Sequence, residues 1–295
     1  MPLSRTQATA SHLVDASFTP LLHPSGGGRV VGVTGATGAP GRTFLSINLA
    51  VAAASLGRRV ALVDADPHLG SIAVQLDLAE DRSLSFLGHE ATLRPVDNDL
   101  VTRHMQTAAG IDVLTGRAVA GPVDPGREAL LADVVTLLRG RYDLIVVDVG
   151  ALDCIVAQDS ALTCHLLVWV IVPTMLGIDL FDRTVSGPLA SQVRTRPSLA
   201  VLNRLGRAGL RDADRSLRQR YGMAVAAAIP EQSKACLQAE DNAVPAAASG
   251  ALAGSLRRCA GAIVAALPGD AGGPNAGADE LSGPVRSDLV REASA

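Results

Sequence analysis

Short apolar runs alternate along the chain with longer segments in which apolar residues recur every three or four positions. The short runs predict buried strands, and the longer segments predict amphipathic helices. Strands are predicted at residues 30–33, 60–63, 111–114, 144–147, 166–172, 199–202 and 225–229. Helices are predicted at residues 43–56, 127–139, 179–193, 213–221 and 252–266. This order predicts an α/β fold: a doubly wound, mostly parallel sheet with helices on both faces.

The pattern weakens at both ends of the chain and in one internal region. Residues 1–28 mix Ser, Thr and Pro and finish in three glycines, and a Pro- and Gly-rich break precedes a loosely patterned polar stretch at 268–295. We expect a flexible N-terminal segment at 1–28, one domain at 29–267 and a disordered C-terminal tail at 268–295. Residues 76–109 are too irregular for assignment.

Composition supports a single large α/β core. The 295 residues are 48% hydrophobic but only 2% aromatic, so the core must consist of Val, Leu, Ile and Ala, as in parallel sheets covered on both faces. A net charge of −3 argues against non-specific nucleic-acid binding. The four cysteines lack the spacing of a structural zinc site, and neither a signal peptide nor a membrane-spanning run is evident. We expect a cytoplasmic protein with reduced thiols.

A glycine-rich turn from Gly35 to Thr43 follows the first predicted strand. Gly38 and Gly41 would let backbone N–H groups fold around a phosphate, and Thr43 stands at the helix start, where its hydroxyl can ligate magnesium. The turn therefore resembles a P-loop, G-x-x-x-x-G-K-[ST], but Ala36 replaces the first glycine and Arg42 replaces the lysine.

The same turn also has a second interpretation. Gly35-x-x-Gly38-x-x-Gly41 resembles the nicotinamide-binding turn of short-chain dehydrogenases and their non-catalytic relatives. Asp64 follows the turn at about the 20-residue distance of a ribose-binding carboxylate in dinucleotide sites. NAD(P) binding is the alternative that the turn alone leaves open.

Three carboxylates at strand ends favour a magnesium–nucleotide site. Asp64 and Asp66, two positions apart, point to the same side of an extended segment, one near a metal and one near an attacking water. Asp148 ends the apolar run 144–147, which is the Walker B pattern. A dinucleotide site needs only one such carboxylate. The alternative explanation of the Asp64–Asp66 pair is a polar strand end that caps a helix.

From about residue 29 to residue 267, the chain resembles the MinD/ParA superfamily, particularly its CpaE/TadZ-like branch, which is associated with Flp pilus assembly. The matching motifs are Gly-Ala-Pro-Gly-Arg-Thr at 38–43, Asn-Leu-Ala at 48–50, Val-Asp-Ala-Asp at 63–66, Ile-Asp-Val-Leu-Thr-Gly at 111–116, the Walker B strand, Val-Leu-Asn-Arg at 201–204 and Ala-Ile-Pro at 228–230.

The resemblance implies binding of ATP or ADP with Mg²⁺. By the same resemblance, Asp66 would orient the attacking water, Arg42 would take the place of the catalytic lysine, and Asn203 would contact the adenine. The implied metal-site residues are Thr43, Asp64 and Asp148. The implied nucleotide contacts along the loop are Gly38, Ala39, Pro40, Gly41, Arg42, Thr43 and Phe44.

The chain departs from the superfamily at two lysines. The signature lysine that reaches the nucleotide of a partner subunit is Thr37 here, and the second lysine is Arg42. Loss of such a contact costs on the order of 10²-fold in rate, so we expect a weak or absent ATPase. The resemblance then implies a localisation or scaffolding factor for pilus or secretion machinery or for pole or septum positioning. It also implies protein partners, a possible nucleotide-dependent homodimer, and recruitment by partners to the inner membrane face or the pole.

Overall fold

The computed structural model describes residues 27–117, 127–205 and 210–267. The predicted C-terminal tail, and all but two residues of the predicted N-terminal segment, lie outside the described residues. Those two predictions and the domain bounds that depend on them stay predictions. In the part of the chain that is described, no helix is both long and apolar enough to cross a bilayer.

One sheet of eight strands runs through the described residues, in the order β3-β4-β2-β5-β1-β6-β7-β8. Only the pairing of β3 with β4 is antiparallel. The strands are β1 (Arg29–Gly35), β2 (Val60–Asp64), β3 (Gln106–Ala108), β4 (Ile111–Leu114), β5 (Leu144–Ala151), β6 (Leu166–Ile171), β7 (Ser198–Leu205) and β8 (Ala224–Pro230). The predicted doubly wound, mostly parallel α/β fold is confirmed.

Helices cover both faces of this sheet. They are α1 (Arg42–Ser55), α2 (Ile72–Gln75), α3 (Leu84–Ala91), α4 (Asn98–His104), α5 (Arg127–Arg139), α6 (Ile155–Leu162), α7 (Met175–Ser186), α8 (Ala190–Val193), α9 (Leu210–Tyr221), α10 (Ser233–Asp241) and α11 (Ala253–Ala265). The prediction of one helix at 179–193 is wrong. Gly187 is extended with ψ 164°, because the following Pro188 disfavours the helical conformation in the residue before it.

The irregular region 76–109 contains α3, α4 and β3. Each of its two longer helices begins at a side-chain cap: Ser83 accepts a hydrogen bond from the Phe86 N–H, and Asp97 accepts one from the Leu100 N–H. These are residue types that favour the N-cap position. Weak apolar periodicity, rather than missing helix-start signals, left this region unassigned.

The core is split by the sheet into two layers. Val30 packs in the layer that contains α5 and α6, whereas its neighbour Val31 packs against α1 and α11 on the other face. Successive side chains of a strand point to opposite faces, so a strand buried on both sides is a continuous apolar run. The few large aromatic residues are concentrated in the first layer, where Phe181 makes edge-to-face contacts with Trp169 at 5.5 Å and Tyr221 at 5.2 Å.

Candidate functional site

The sheet order brings the predicted site residues to one edge. Strand β5 lies between β2 and β1, and Asp148 is paired in register with Asp64 on one side and with Val33 on the other. The carboxyl ends of β1, β2 and β5 therefore meet, and ligands of open α/β sheets bind at such an edge. The glycine-rich loop follows β1 here and leads into α1.

The last turn of the loop has a backbone conformation and a close contact that only glycine accommodates without strain. Gly41 has φ 95°, and a Cβ at this position would lie 2.3 Å from the Asn203 Nδ2. No described side chain caps α1, whose N-cap residue is Gly41. The first N–H groups of α1 are therefore available to an anion, and the positive end of the helix dipole favours one.

The end of β7 supports this loop from the other side. Asn203 is almost fully buried and its Nδ2 donates a hydrogen bond of 2.8 Å to the Pro40 carbonyl. Arg204, in the left-handed region with φ 55°, donates to the Ala39 carbonyl at 3.4 Å. Asn203, predicted to contact an adenine, is thus also a positioning residue for the loop. No sequence pattern predicted the contact of Arg204 with the loop.

Arg42, which stands where a lysine is usual, turns back into its own loop. Its guanidinium donates a hydrogen bond to the Ala36 carbonyl. It also lies close enough to Asp148 to lower the pKa of that carboxyl group. The positive charge is therefore directed at the region where the loop and β5 meet.

Asp148 carries an unsatisfied buried oxygen. Its Oδ1 accepts a hydrogen bond from the Gly150 N–H at 3.4 Å, whereas Oδ2 has no hydrogen-bond partner among the described residues. Burial raises the pKa of Asp148 to about 6, opposed by the polar Thr43 hydroxyl nearby and by the charge of Arg42. A buried carboxylate oxygen beside the Thr43 hydroxyl fits a hard cation such as Mg²⁺.

Asp64 is as deeply buried as Asp148, but both of its oxygens have hydrogen-bond partners. Its two oxygens accept hydrogen bonds from the N–H groups of Asp66 at 3.2 Å and Ile72 at 3.3 Å. Gly70 approaches so closely that a Cβ there would lie 2.4 Å from the Asp64 Oδ2. Burial, followed by the charges of Asp148 and Asp66, raises the pKa of Asp64 to about 8. Proximity to Asp148 makes Asp64 part of the same electrostatic site.

Asp66 is half-buried and faces the cavity beside the loop. Its Oδ1 accepts hydrogen bonds from the N–H groups of His68 at 2.9 Å and Leu69 at 3.4 Å. This arrangement holds the carboxylate in place without neutralising it. Asp66 has the exposure that a water-orienting residue needs, which the deeply buried Asp64 lacks.

A cavity of about 690 Å³ extends from the start of α1 towards α10. Such a volume is within the range of ligand pockets. The predicted residues that line it are Ala39, Gly41, Arg42, Thr43, Phe44, Asp66 and Asn203; Gly38, Pro40, Asp64 and Asp148 do not line it. Its far wall includes Pro230 of the Ala-Ile-Pro motif, together with Gln232, Cys236 and Glu240. The sequence did not single out the last three, because α10 has only a short, weakly apolar pattern.

Comparison with known proteins identifies a nucleotide-binding family. Residues 31–245 match the family described as the CobQ/CobB/MinD/ParA nucleotide binding domain. The antiactivator FleN of Pseudomonas aeruginosa is 47% identical over 131 residues, which cover 44% of this chain and 44% of FleN. The chain spans about half the length of the curated relatives it matches.

Solved structures show the same fold. The cell division ATPase MinD of Pyrococcus furiosus superposes with a TM-score of 0.65 at 23% identity, covering 81% of this chain and 99% of that one. The septum site-determining protein MinD of Pyrococcus horikoshii, solved with Mg-ADP, gives a TM-score of 0.61 at 19% identity, covering 80% and 95%. None of these findings supports the dehydrogenase-like alternative. The chain belongs to the CobQ/CobB/MinD/ParA nucleotide-binding family, within the MinD/ParA superfamily of P-loop ATPases.

Proposed function

We propose that this chain binds ATP or ADP with Mg²⁺ at the carboxyl edge of β1, β2 and β5, and that it hydrolyses ATP slowly or not at all. The observation that supports this most directly is the buried Asp148 Oδ2, which has no hydrogen-bond partner among the described residues, beside Thr43 at the end of a glycine-rich loop. Burying a carboxylate oxygen without a hydrogen-bond partner is unfavourable unless a cation binds to that oxygen.

Each part of the site has a role in this proposal. The backbone from Gly38 to Phe44 would surround the phosphates, and its N–H groups, which Ala39 and Gly41 have and Pro40 lacks, would donate to the phosphate oxygens. Thr43 and Asp148 would hold magnesium directly, with Asp64 behind them. Bound magnesium would neutralise phosphate charge. Asn203 and the α10 side of the cavity would contact the adenine.

The residues at two positions of the loop support the proposal of slow hydrolysis. Thr37 is exposed at the tip of the loop and carries no charge, so it cannot supply the cation that a lysine there would supply to the nucleotide of a second copy. Arg42 keeps its charge but spreads it over a planar fork, and one of its N–H groups is already bonded to the Ala36 carbonyl. Asp66 remains available to orient a water molecule.

The cellular role is proposed from the resemblance to the CpaE/TadZ-like branch. The nucleotide state would be read by protein partners, so that the chain serves as a localisation or scaffolding factor for pilus or secretion machinery, or for positioning at the pole or septum. A nucleotide-dependent homodimer and recruitment by partners to the inner membrane face belong to the same proposal.

Thermal unfolding with different nucleotides tests the binding step. ATP and ADP should each raise the melting temperature in the presence of Mg²⁺, and Asp148→Asn should abolish the magnesium-dependent part of the increase. Asp133→Asn, which changes an exposed carboxylate on α5, is the matched control and should leave it intact. Stabilisation by NADPH or NADH but not by ATP would refute the proposal.

The two replaced lysines can be tested by restoring them. If the missing ammonium groups limit hydrolysis, a Thr37→Lys, Arg42→Lys double variant should hydrolyse ATP on the order of 10²-fold faster than the natural chain. Phosphate release at saturating Mg-ATP measures this. An unchanged rate in a variant that still binds ATP would show that another feature limits turnover.

A further inference from the structure

A second group of potential ligands lies beside the nucleotide site but does not take part in it. His68 follows β2, whereas Asp153 and Cys154 follow β5. The His68 Nε2 lies 3.0 Å from the Asp153 Oδ1, although the two residues are 85 positions apart in the chain. The potential ligand atoms of His68, Asp153 and Cys154 all lie within 4.8 Å of one another.

These three side chains form a donor set that transition metals bind. Imidazole nitrogen, carboxylate oxygen and thiolate sulfur are the usual ligands of Zn²⁺, at distances of about 2.0–2.3 Å. Tetrahedral coordination at such distances puts the ligand atoms about 3.3–3.8 Å apart, so a shift of about 1 Å from the present spacing completes the site. The sulfur distinguishes this set from the all-oxygen magnesium site, because soft thiolate ligands favour zinc-like ions over magnesium.

The exposure of the group allows an ion to enter. The side chains of His68 and Asp153 are 52% and 35% exposed, and Cys154 is half-buried at the N-cap of α6. Three protein ligands with one face open to solvent leave the fourth position for water, which is the arrangement of exchangeable rather than closed structural zinc sites.

The backbone already holds both sides of the group. The His68 N–H donates to the Asp66 Oδ1 at 2.9 Å, and the Asp153 N–H donates to the Ala151 carbonyl at 3.0 Å. The loops that would be bridged are therefore partly ordered before an ion binds, which lowers the entropic cost of binding.

We propose that His68, Asp153 and Cys154 bind a zinc-like transition-metal ion that joins the loop after β2 to the loop after β5. The ion is separate from the magnesium of the proposed nucleotide site, and the proposal does not depend on nucleotide binding. Asp66 lies in the first of these loops, and Asp148 lies in β5 shortly before the second loop begins. Bound metal would therefore fix the spacing of residues on both sides of the phosphate region.

Titration of the reduced full-length chain with Co²⁺ tests this without nucleotide. We expect one equivalent to bind with a thiolate-to-cobalt charge-transfer absorption, which one equivalent of Zn²⁺ then removes by displacement. Cys154→Ser should eliminate the band, and His68→Gln or Asp153→Asn should weaken Co²⁺ binding by about 100-fold or more, since loss of even an outer partner of a metal ligand costs about 10–100-fold.

Two control variants separate this site from others in the chain. Cys236→Ser removes another half-buried thiol, and Asp148→Asn alters the magnesium site; both should keep the band. A band that persists in Cys154→Ser, a band lost in Asp148→Asn, or the absence of a stoichiometric band in the natural chain would each overturn the proposal.

Discussion

Replacing Asp148 by asparagine should stabilise the chain in the absence of metal and nucleotide. Asparagine has the shape of aspartate, and its carbonyl oxygen can keep the hydrogen bond from Gly150. The amide nitrogen then takes the position of Oδ2, which has no hydrogen-bond partner among the described residues. The substitution therefore removes a buried negative charge without removing a described hydrogen bond.

The size of the effect follows from the pKa of Asp148. Burial raises this pKa from 3.8 to about 6. The folded state therefore binds more protons than the unfolded state between these values, and stability falls as the pH rises through this window. At pH 8 the ionised carboxylate costs about 3 kcal/mol. An unpaired amide N–H in the variant costs about 1 kcal/mol, so the net gain is about 2 kcal/mol.

Urea unfolding in EDTA at pH 5 and pH 8 measures the prediction. Because Asp148 is already largely protonated at pH 5, the gain should be about 1–2 kcal/mol larger at pH 8. The slope of free energy against urea should be unchanged, which shows that the folded state is as compact as before. The exposed control Asp133→Asn should show no such difference. A gain in Asp148→Asn that does not grow with pH would refute the account of an uncompensated buried charge.

Four further substitutions test the loop and the core. Gly41→Ala and Gly57→Ala both place a side chain at a positive φ, but only at Gly41 does a described atom block that side chain. Gly57→Ala should therefore lower the free energy of unfolding by about 1 kcal/mol. Gly41→Ala should lower it clearly more and should also abolish the thermal stabilisation by ATP. Asn203→Ala removes the hydrogen bond to the loop carbonyl, and we expect a loss of about 1 kcal/mol in urea unfolding together with weaker ADP binding by calorimetry; unchanged binding would limit the residue to a structural role. Phe181→Ala should destabilise the chain by about 3–5 kcal/mol, because it empties the centre of an aromatic cluster; a loss below 1 kcal/mol would contradict the packing described.

Most of the fold was predictable because it depends on local patterns. All of the predicted strands are present, since an apolar run buried on both faces is recognisable without knowing its neighbours. Two local signals were readable but not used: Pro188, which separates α7 from α8, and the caps Ser83 and Asp97 in the irregular region. These errors concerned element boundaries and short helices, where the apolar pattern is weakest.

The sequence by itself determined the α/β class, the glycine-rich loop and the types of residue at the strand ends, because each of these is encoded within a few neighbouring positions. Only the tertiary structure decided which residues meet. The pairing of β2 with β5 places Asp64 beside Asp148, and their shared burial raises both pKa values, which no spacing along the chain could indicate. The same pairing brings His68 to Asp153. Charge interaction and coordination depend on distance in space and on removal from water, and the order of strands in the sheet sets both.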